Sequence, residues 1–421
     1  MKPTGLLLAT TAMLTVLAPA SAAQSIEDLK KQLEVLAAKI EKLEAKAEKA
    51  PVVKKAEPAM SIGTSDGMFE MNLRGRIYTD AAWVSDSDNT MDVAATEFRA
   101  ARLGIEGKAW KTVKYKFEAD FAGNAVSVKD AYMQYKSSFG DITVGQFKTP
   151  NSLEEQTSSR HAAFMERASF TDAFGLSRRI GIGYGKSGDT WTFKAGAFRG
   201  SNGDEGTGQF EFATRATYGG KLDGGTWMVG ASLRTRDGDG SNFRYRQRPH
   251  QHLSNRFIAT DRLSDKDTMY GFEGAASFGS FWASGEFASL NAKNGGAGGR
   301  NAGFWGGYLD AGWFITGEKR PLKLGKGAWD RPKVSRPLHE GGMGAWAIAA
   351  RYDVIDLTAD GVYGGQQDTW ILGVNWYLNR HMRVMMNYNR SEIDKAFNVS
   401  ANGEDGSNSI DGFGMRFQVD W

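Results

Sequence analysis

The chain of 421 residues has no cysteine, only nine prolines and no long apolar run beyond its N-terminus. Without cysteine it has neither a disulfide scaffold nor a thiolate metal site. A transmembrane helix needs about 20 mostly apolar residues, and a mean hydropathy of −0.44 argues against a bundle of them. Neither sign of charge dominates: 52 basic against 49 acidic residues leave +3, so nothing marks a nucleic-acid binder. What the chain does have is 52 glycines and 12 tryptophans, and glycine stands well above its usual ~7%. Much glycine, many aromatics and little proline suit a large β protein. A chain this long usually makes about two or three soluble domains, unless one sheet takes most of it.

The first segment reads as an export signal. Lys2 supplies a positive start, Gly5 to Leu17 is apolar, and Ala20-Ser21-Ala22-Ala23 offers a small-residue cleavage site. That is the pattern of a bacterial secretory signal peptide over residues 1–23. An uncleaved membrane anchor fits the short apolar core less well. In residues 24–50, Ile26, Leu29, Leu33, Leu36, Ile40 and Leu43 alternate in steps of three and four, and Ala47 and Ala50 continue them. This is the a/d seam of a coiled coil flanked by Lys and Glu. Dimer and trimer are both allowed, and a single helix packed on its own domain is the rival reading. Residues 51–67, with Pro51 and Pro58, read as an extended linker.

From residue 68 the period becomes two. Phe69, Met71, Leu73, Ile77, Ala81 and Trp83 fall on one face, and Glu70, Asn72, Arg74, Arg76, Tyr78 and Asp80 on the other. Successive side chains of a strand point to opposite faces. The same design recurs in VKYKFEADF, WTFKAGAF, WMVGASLRTR and HMRVMMNYNR. Such segments, about 10 residues long, span a membrane when tilted. Tryptophans near strand ends, such as Trp83, Trp110, Trp191 and Trp370, suit the aromatic girdles of an outer-membrane barrel. The pattern predicts an all-β fold, a 16-stranded antiparallel transmembrane β-barrel over 68–421, preceded by a short coiled-coil helix in the periplasm. Long connections then fall outside at 85–95, 149–177, 200–209, 237–267, 291–301, 355–367 and 392–409. Residues 317–343 break the rule, being long but periplasmic. The alternation ends in Phe417, Val419 and Trp421, close to the aromatic C-terminus that outer-membrane assembly reads.

Sixteen strands enclose a water-filled channel unless loops plug it. The lumen register holds Arg74, Arg76, Arg102, Lys114, Lys116, Lys194, Arg215, Arg234, Arg236, Arg351, Arg383 and Arg416. Glu70, Asp80, Glu106, Glu118 and Asp120 share that face. Arginine clusters favour anions, because the guanidinium stays charged and donates two hydrogen bonds at once. The bland alternative is that these arginines pair with the carboxylates and keep the wall wet.

Two long stretches carry a specific resemblance. VGQFKTPNSLEEQTSSRHAAFMERA (144–168) resembles the constriction-loop motif of the phosphate-selective porin O and P family. FITGEKRPLKLGKGAWDRPKVSRPLHEGGMGAWAIAARYDVIDL (314–357) resembles the same family through its TGE, GGxGAW and RYxxxDL elements. The resemblance implies a homotrimeric outer-membrane channel with three segments folded into the pore, here 148–178, 237–267 and 317–343. It also implies basic residues at the constriction and an arginine ladder leading to it. Lys148 is the first candidate, with Arg160 and Arg167 on its loop and Lys319, Arg320, Lys323 and Lys326 on the periplasmic segment. Arg74, Arg76, Arg102, Lys114, Lys116 and Arg234 complete the set from the wall. Glu154, Glu155 and Glu166 on the loop work against a purely anion-binding eyelet.

The expected function is passive diffusion of small hydrophilic solutes, with preference for phosphate-like anions and neither cofactor nor metal. Expected partners are outer-membrane lipid, lipopolysaccharide and small anions. The alternative is a structural envelope protein that tethers the outer membrane, through its coiled coil, to peptidoglycan or another component. An enzyme is not expected. IGIGYGKS (180–187) lacks the first glycine of a phosphate-binding loop and alternates like a strand. DGDGSN (237–242) lacks the final glutamate of a calcium loop. His161, three residues after Ser158, has no third group to orient it.

Overall fold

The computed structural model describes residues 26–48, 51–55, 59–87, 91–200, 208–359, 361–397 and 406–421. The signal peptide expected over 1–23 lies outside them. Ile26–Glu48 forms helix α1, with Glu27 and Asp28 in its first turn and Lys46 in its last. Both ends complement the helix dipole. Its seam residues Leu29, Leu33, Leu36, Ile40 and Leu43 are all exposed. No helix among the described residues is long and apolar enough to cross a membrane.

The second unit is a single sheet closed on itself. Its wall strands are β1 (Phe69–Asp86), β2 (Val93–Ala109), β3 (Val113–Asp120), β4 (Ser127–Ser137), β5 (Gly140–Lys148) and β6 (Arg178–Ser187). β7 (Trp191–Phe198), β8 (Phe210–Leu222), β9 (Gly225–Asp237), β10 (Lys266–Phe278) and β11 (Phe281–Ala292) follow. β12 (Ala302–Phe314), β13 (Ala345–Ala359), β14 (Val362–Tyr377), β15 (Met382–Asp394) and β16 (Asn408–Asp420) complete the sixteen. Every neighbouring pair is antiparallel, and β16 returns to β1 from Ile410↔Asp86 to Asp420↔Arg76.

Two boundaries differ from the sequence reading. The segment expected as a linker, 51–67, carries strands at Pro51–Lys55 and Met60–Thr64, and the second pairs with β1 from Ser61↔Asn72 to Gly63↔Glu70. The long outer connection expected at 355–367 is a tight hairpin, since pairing continues to Thr358↔Tyr363 and Ala359↔Val362. Gly361 takes φ 74° there, a left-handed turn that glycine adopts without strain.

Alternation holds along the wall. On β1, Arg74, Arg76, Tyr78 and Asp80 are buried inward, while Leu73, Ile77 and Trp83 are exposed outward. Two bulges interrupt it. Tyr78 and Thr79 face Ala100 and Phe98, which leaves Arg99 as the extra residue of β2. Glu118 and Ala119 face Asp130 and Val128, which leaves Lys129 extra on β4.

The apolar core lies inside the barrel. Phe170, Phe174 and Leu176, with Tyr245, Phe257 and Ile258, pack on Met269, Leu290, Phe304, Tyr308 and Ile355 of the wall. Leu153 and Phe164, with Leu322, Leu324 and Trp329, pack on Met228, Trp282, Phe314 and Ile371. The packed segments are 149–177 and 238–265 from one end of the barrel and 315–344 from the other. These are the three that the resemblance places in the pore.

The seam between last and first strand is close-fitting. Gly75 and Trp421 exchange backbone hydrogen bonds, each 3.1 Å long. A Cβ on Gly75 would stand 2.2 Å from the Trp421 ring. Gly75→Ala is therefore expected to weaken closure by about 1–3 kcal/mol. A smaller heat-modifiable, folded fraction on unboiled electrophoresis checks this.

Candidate functional site: a basic passage through the barrel

A cavity of about 1020 Å³ runs through the lumen, lined mainly by β1–β7 and by the three inward segments. The other side of the lumen is filled by the apolar clusters, so the passage is eccentric. Sixteen arginines and lysines line it against six carboxylates. The whole chain, by contrast, has nearly equal numbers of each.

On the wall the charges form one network. Glu118 of β3 lies 3.1 Å from both Arg74 and Arg76 and 3.3 Å from Arg102. Arg74 also meets Glu106, and Arg102 meets Asp120 at 2.8 Å. Asp130 of β4 bridges Lys116 at 2.5 Å and Arg178 at 2.8 Å. Alternation along β1–β4 brings these groups to one inner face.

Across the network runs segment 149–177, with short helices α2 (Leu153–Gln156) and α3 (Ser169–Ala173). Its backbone is held by the opposite wall. Glu286 of β11 accepts from the Leu153 and Glu154 amides at 2.8 and 2.7 Å, the orphan donors of a helix start. Asp353 accepts from Ser169 N, and Asn387 from Met165 N. Arg383 and Arg416 donate to Ala162 O and Met165 O, both at 2.6 Å. Side chains add to this. Glu154 meets Arg351 at 2.7 Å, and Glu166 meets Arg99 and Arg416, each at 2.9 Å.

The other two segments lock onto the first. His250 Nε2 lies 3.0 Å from Ser169 Oγ, and His252 Nδ1 lies 2.7 Å from Glu97. From the other end, Arg320 stacks on Trp282 and Trp329 and donates to His161 O. Arg331 and Arg160 both pair with Asp420 on the last strand.

Eight of the expected site residues line the passage: Lys148, Arg160, Arg167, Lys326, Arg74, Arg76, Arg102 and Lys116. Five lie elsewhere, among them Arg320, buried against Trp282 and Trp329. Arg234 is buried against Asp267 and Phe174 O beneath the plug. Lys114 is half-buried near the start of β3. Lys319 and Lys323 are exposed, because their segment alternates and buries Glu318, Arg320, Leu322 and Leu324 instead. Strict alternation also misses Arg99, which the bulge in β2 turns inward. Arg178 pairs across from Lys148 at the first residue of β6; its place at a loop exit gave no periodic signal.

Charge neighbours set the protonation of the segment. Burial pushes the Glu166 carboxyl up, but Arg99 and Arg416 outweigh it and hold it below the usual range. Glu154 is likewise raised by burial, and Arg351 brings it below the usual range. Burial, then Arg331 and Arg160, push the His161 imidazole well below its ordinary value. Among the described residues no group of three or more metal-ligating side chains occurs.

Comparison with known proteins gives consistent relatives. The family model described as phosphate-selective porin O and P matches residues 71–421. An uncharacterised protein of Caulobacter vibrioides is 33% identical over 341 residues, 75% of this chain and 67% of that one. Porin O of Pseudomonas aeruginosa is 26% identical over 417 residues, 88% of this chain and 92% of that one. Among solved structures, the anion-selective porin from Comamonas acidovorans superposes with a TM-score of 0.55 at 13% identity. That match covers 84% of this chain and 100% of the other.

Two predictions follow from the anchoring. Glu154→Gln leaves Arg351 facing Asp310 alone and weakens the segment's attachment, at a cost of about 3 kcal/mol. Single-channel current should become larger and noisier. Acid should act the same way. Glu154 and Glu166 stabilise the docked segment while ionised, and that stabilisation is lost only below the ordinary carboxylate value of 4.5, as pH falls toward their lowered values. His161 is kept neutral when docked, so a released segment takes up its proton as pH falls below about 6.5. Open-channel noise recorded from pH 7 down to pH 4 should rise, and His161→Gln should reduce the rise.

Proposed function

The chain belongs to the phosphate-selective porin O and P family and forms an outer-membrane porin, and from that premise we propose that its channel prefers small anions of the phosphate type. One observation carries the proposal: the passage has sixteen cationic side chains against six carboxylates. Basic groups replace part of an anion's hydration, while several sites in series keep any one from trapping it. Arg74, Arg76, Arg102 and Lys116 form the wall of the path. Lys148, Arg160 and Arg167 form the rim of the inward loop. Transport is passive and needs neither catalysis nor cofactor.

The exposed seam of α1 supports two further parts of the reading. After removal of the signal peptide over 1–23, residues 24–50 form a periplasmic coiled coil, and the channel is a homotrimer in lipid and lipopolysaccharide. The seam also favours a second role, a tether to peptidoglycan or another envelope component.

Purified protein in planar bilayers under a potassium chloride gradient tests the preference. The zero-current potential should move toward the chloride equilibrium value, and added phosphate should reduce chloride current. A shift toward the potassium value would overturn anion preference and leave the channel standing. Deleting residues 24–58 should leave conductance intact; an accompanying loss of envelope integrity would favour the tether.

A further inference from the structure

We infer that Lys194, on β7, is the chief determinant of the channel's charge preference; this rests on the anion-preferring reading above and names the residue that carries it. A lysine ammonium has three donors. Lys148 spends its own on its loop. It donates to Glu155 O and to Thr157 O, and it lies 3.5 Å from the Glu155 carboxylate. Its charge is opposed where it stands. Arg74, Arg76, Arg102, Lys116 and Arg178 of the wall are opposed too, the last two by one Asp130.

Lys194 is built differently. Its Nζ donates to Gln156 Oε1 at 3.2 Å and reaches Lys326 O at 3.5 Å. Both acceptors are neutral, and Lys194 forms no ion pair with a described carboxylate. Gln156 Nε2 donates to Thr149 O at 3.0 Å, which keeps its Oε1 aimed at the lysine. The ammonium is therefore held in place without being neutralised, and one donor is left over. A compact point charge of this kind suits a small, hydrated anion.

Its position adds weight. Gln156 ends α2, on the segment entering from one end of the barrel. Lys326 lies on the segment entering from the other. Lys194 is where both segments reach the same wall strand, and all three residues line the passage. A permeating anion passes this charge whichever way it travels.

The full-length channel in planar bilayers tests the inference, with reversal potentials measured in potassium chloride gradients. Lys194→Gln should lower the chloride-to-potassium permeability ratio about fivefold, the effect of one unit charge removed at contact distance in water. Lys194→Arg should retain the ratio, and Lys148→Gln should change it less than Lys194→Gln does. A selective parent channel with an unaltered Lys194→Gln ratio, or a larger loss in Lys148→Gln, overturns this inference alone. An unselective parent overturns both it and the anion reading. The absence of cysteine allows a check that does not depend on folding of the glutamine variant. Lys194→Cys carries the only thiol, so an inserted channel can be treated with a cationic or a neutral methanethiosulfonate. The cationic adduct should raise the ratio and the neutral one should not; equal effects overturn the inference.

Discussion

A backbone group facing lipid has no water to bond, so a sheet in a membrane must close. That requirement governs the rest of this structure. Closure through β16 and β1 gives every wall strand two partners, and the count of sixteen sets a lumen too wide for wall side chains to fill. The remaining space has to be occupied by other parts of the chain. Segments 149–177, 238–265 and 315–344 occupy it, and the residues that pack there form the only large apolar clusters described inside the sheet.

Filling the lumen from loops raises an electrostatic difficulty that the inner arginines resolve. A guanidinium buried without a partner is costly, and a buried backbone amide is costly too. Here the charged wall side chains and the loop backbone supply each other's partners. Arg383 and Arg416 spend donors on loop carbonyls, while Glu286 and Asp353 accept loop amides. The inner charges on the β8–β16 side thus serve to hold the plug. Those on the β1–β7 side line the passage. One periodic pattern has two uses, according to which side of the barrel the loops press against.

Much of this was legible in the chain. Alternation located the strands and predicted which side of β1 faces inward, and the motif at 144–168 marked the loop that crosses the lumen. Periodicity does not say where a loop will lie, so it ranked Arg234 with the pore residues although the plug covers it. It failed at Arg99, because a bulge shifts the phase by one residue without a sequence mark. The resemblance offered Lys319 and Lys323 for their basic character, which says nothing of which alternate positions an irregular segment buries. The α1 residues Leu29, Leu33, Leu36, Ile40 and Leu43, at a and d positions, are exposed, and the spacing that marks them does not name a partner for them.

Asp420 is the penultimate residue, and it binds Arg160 of one inward segment and Arg331 of another. Its place on β16 means that neither contact exists until the last strand has been laid against the first. The fastening of the plug is thereby tied to the closing of the sheet. A barrel still lacking its final strand is also one whose interior has not been latched.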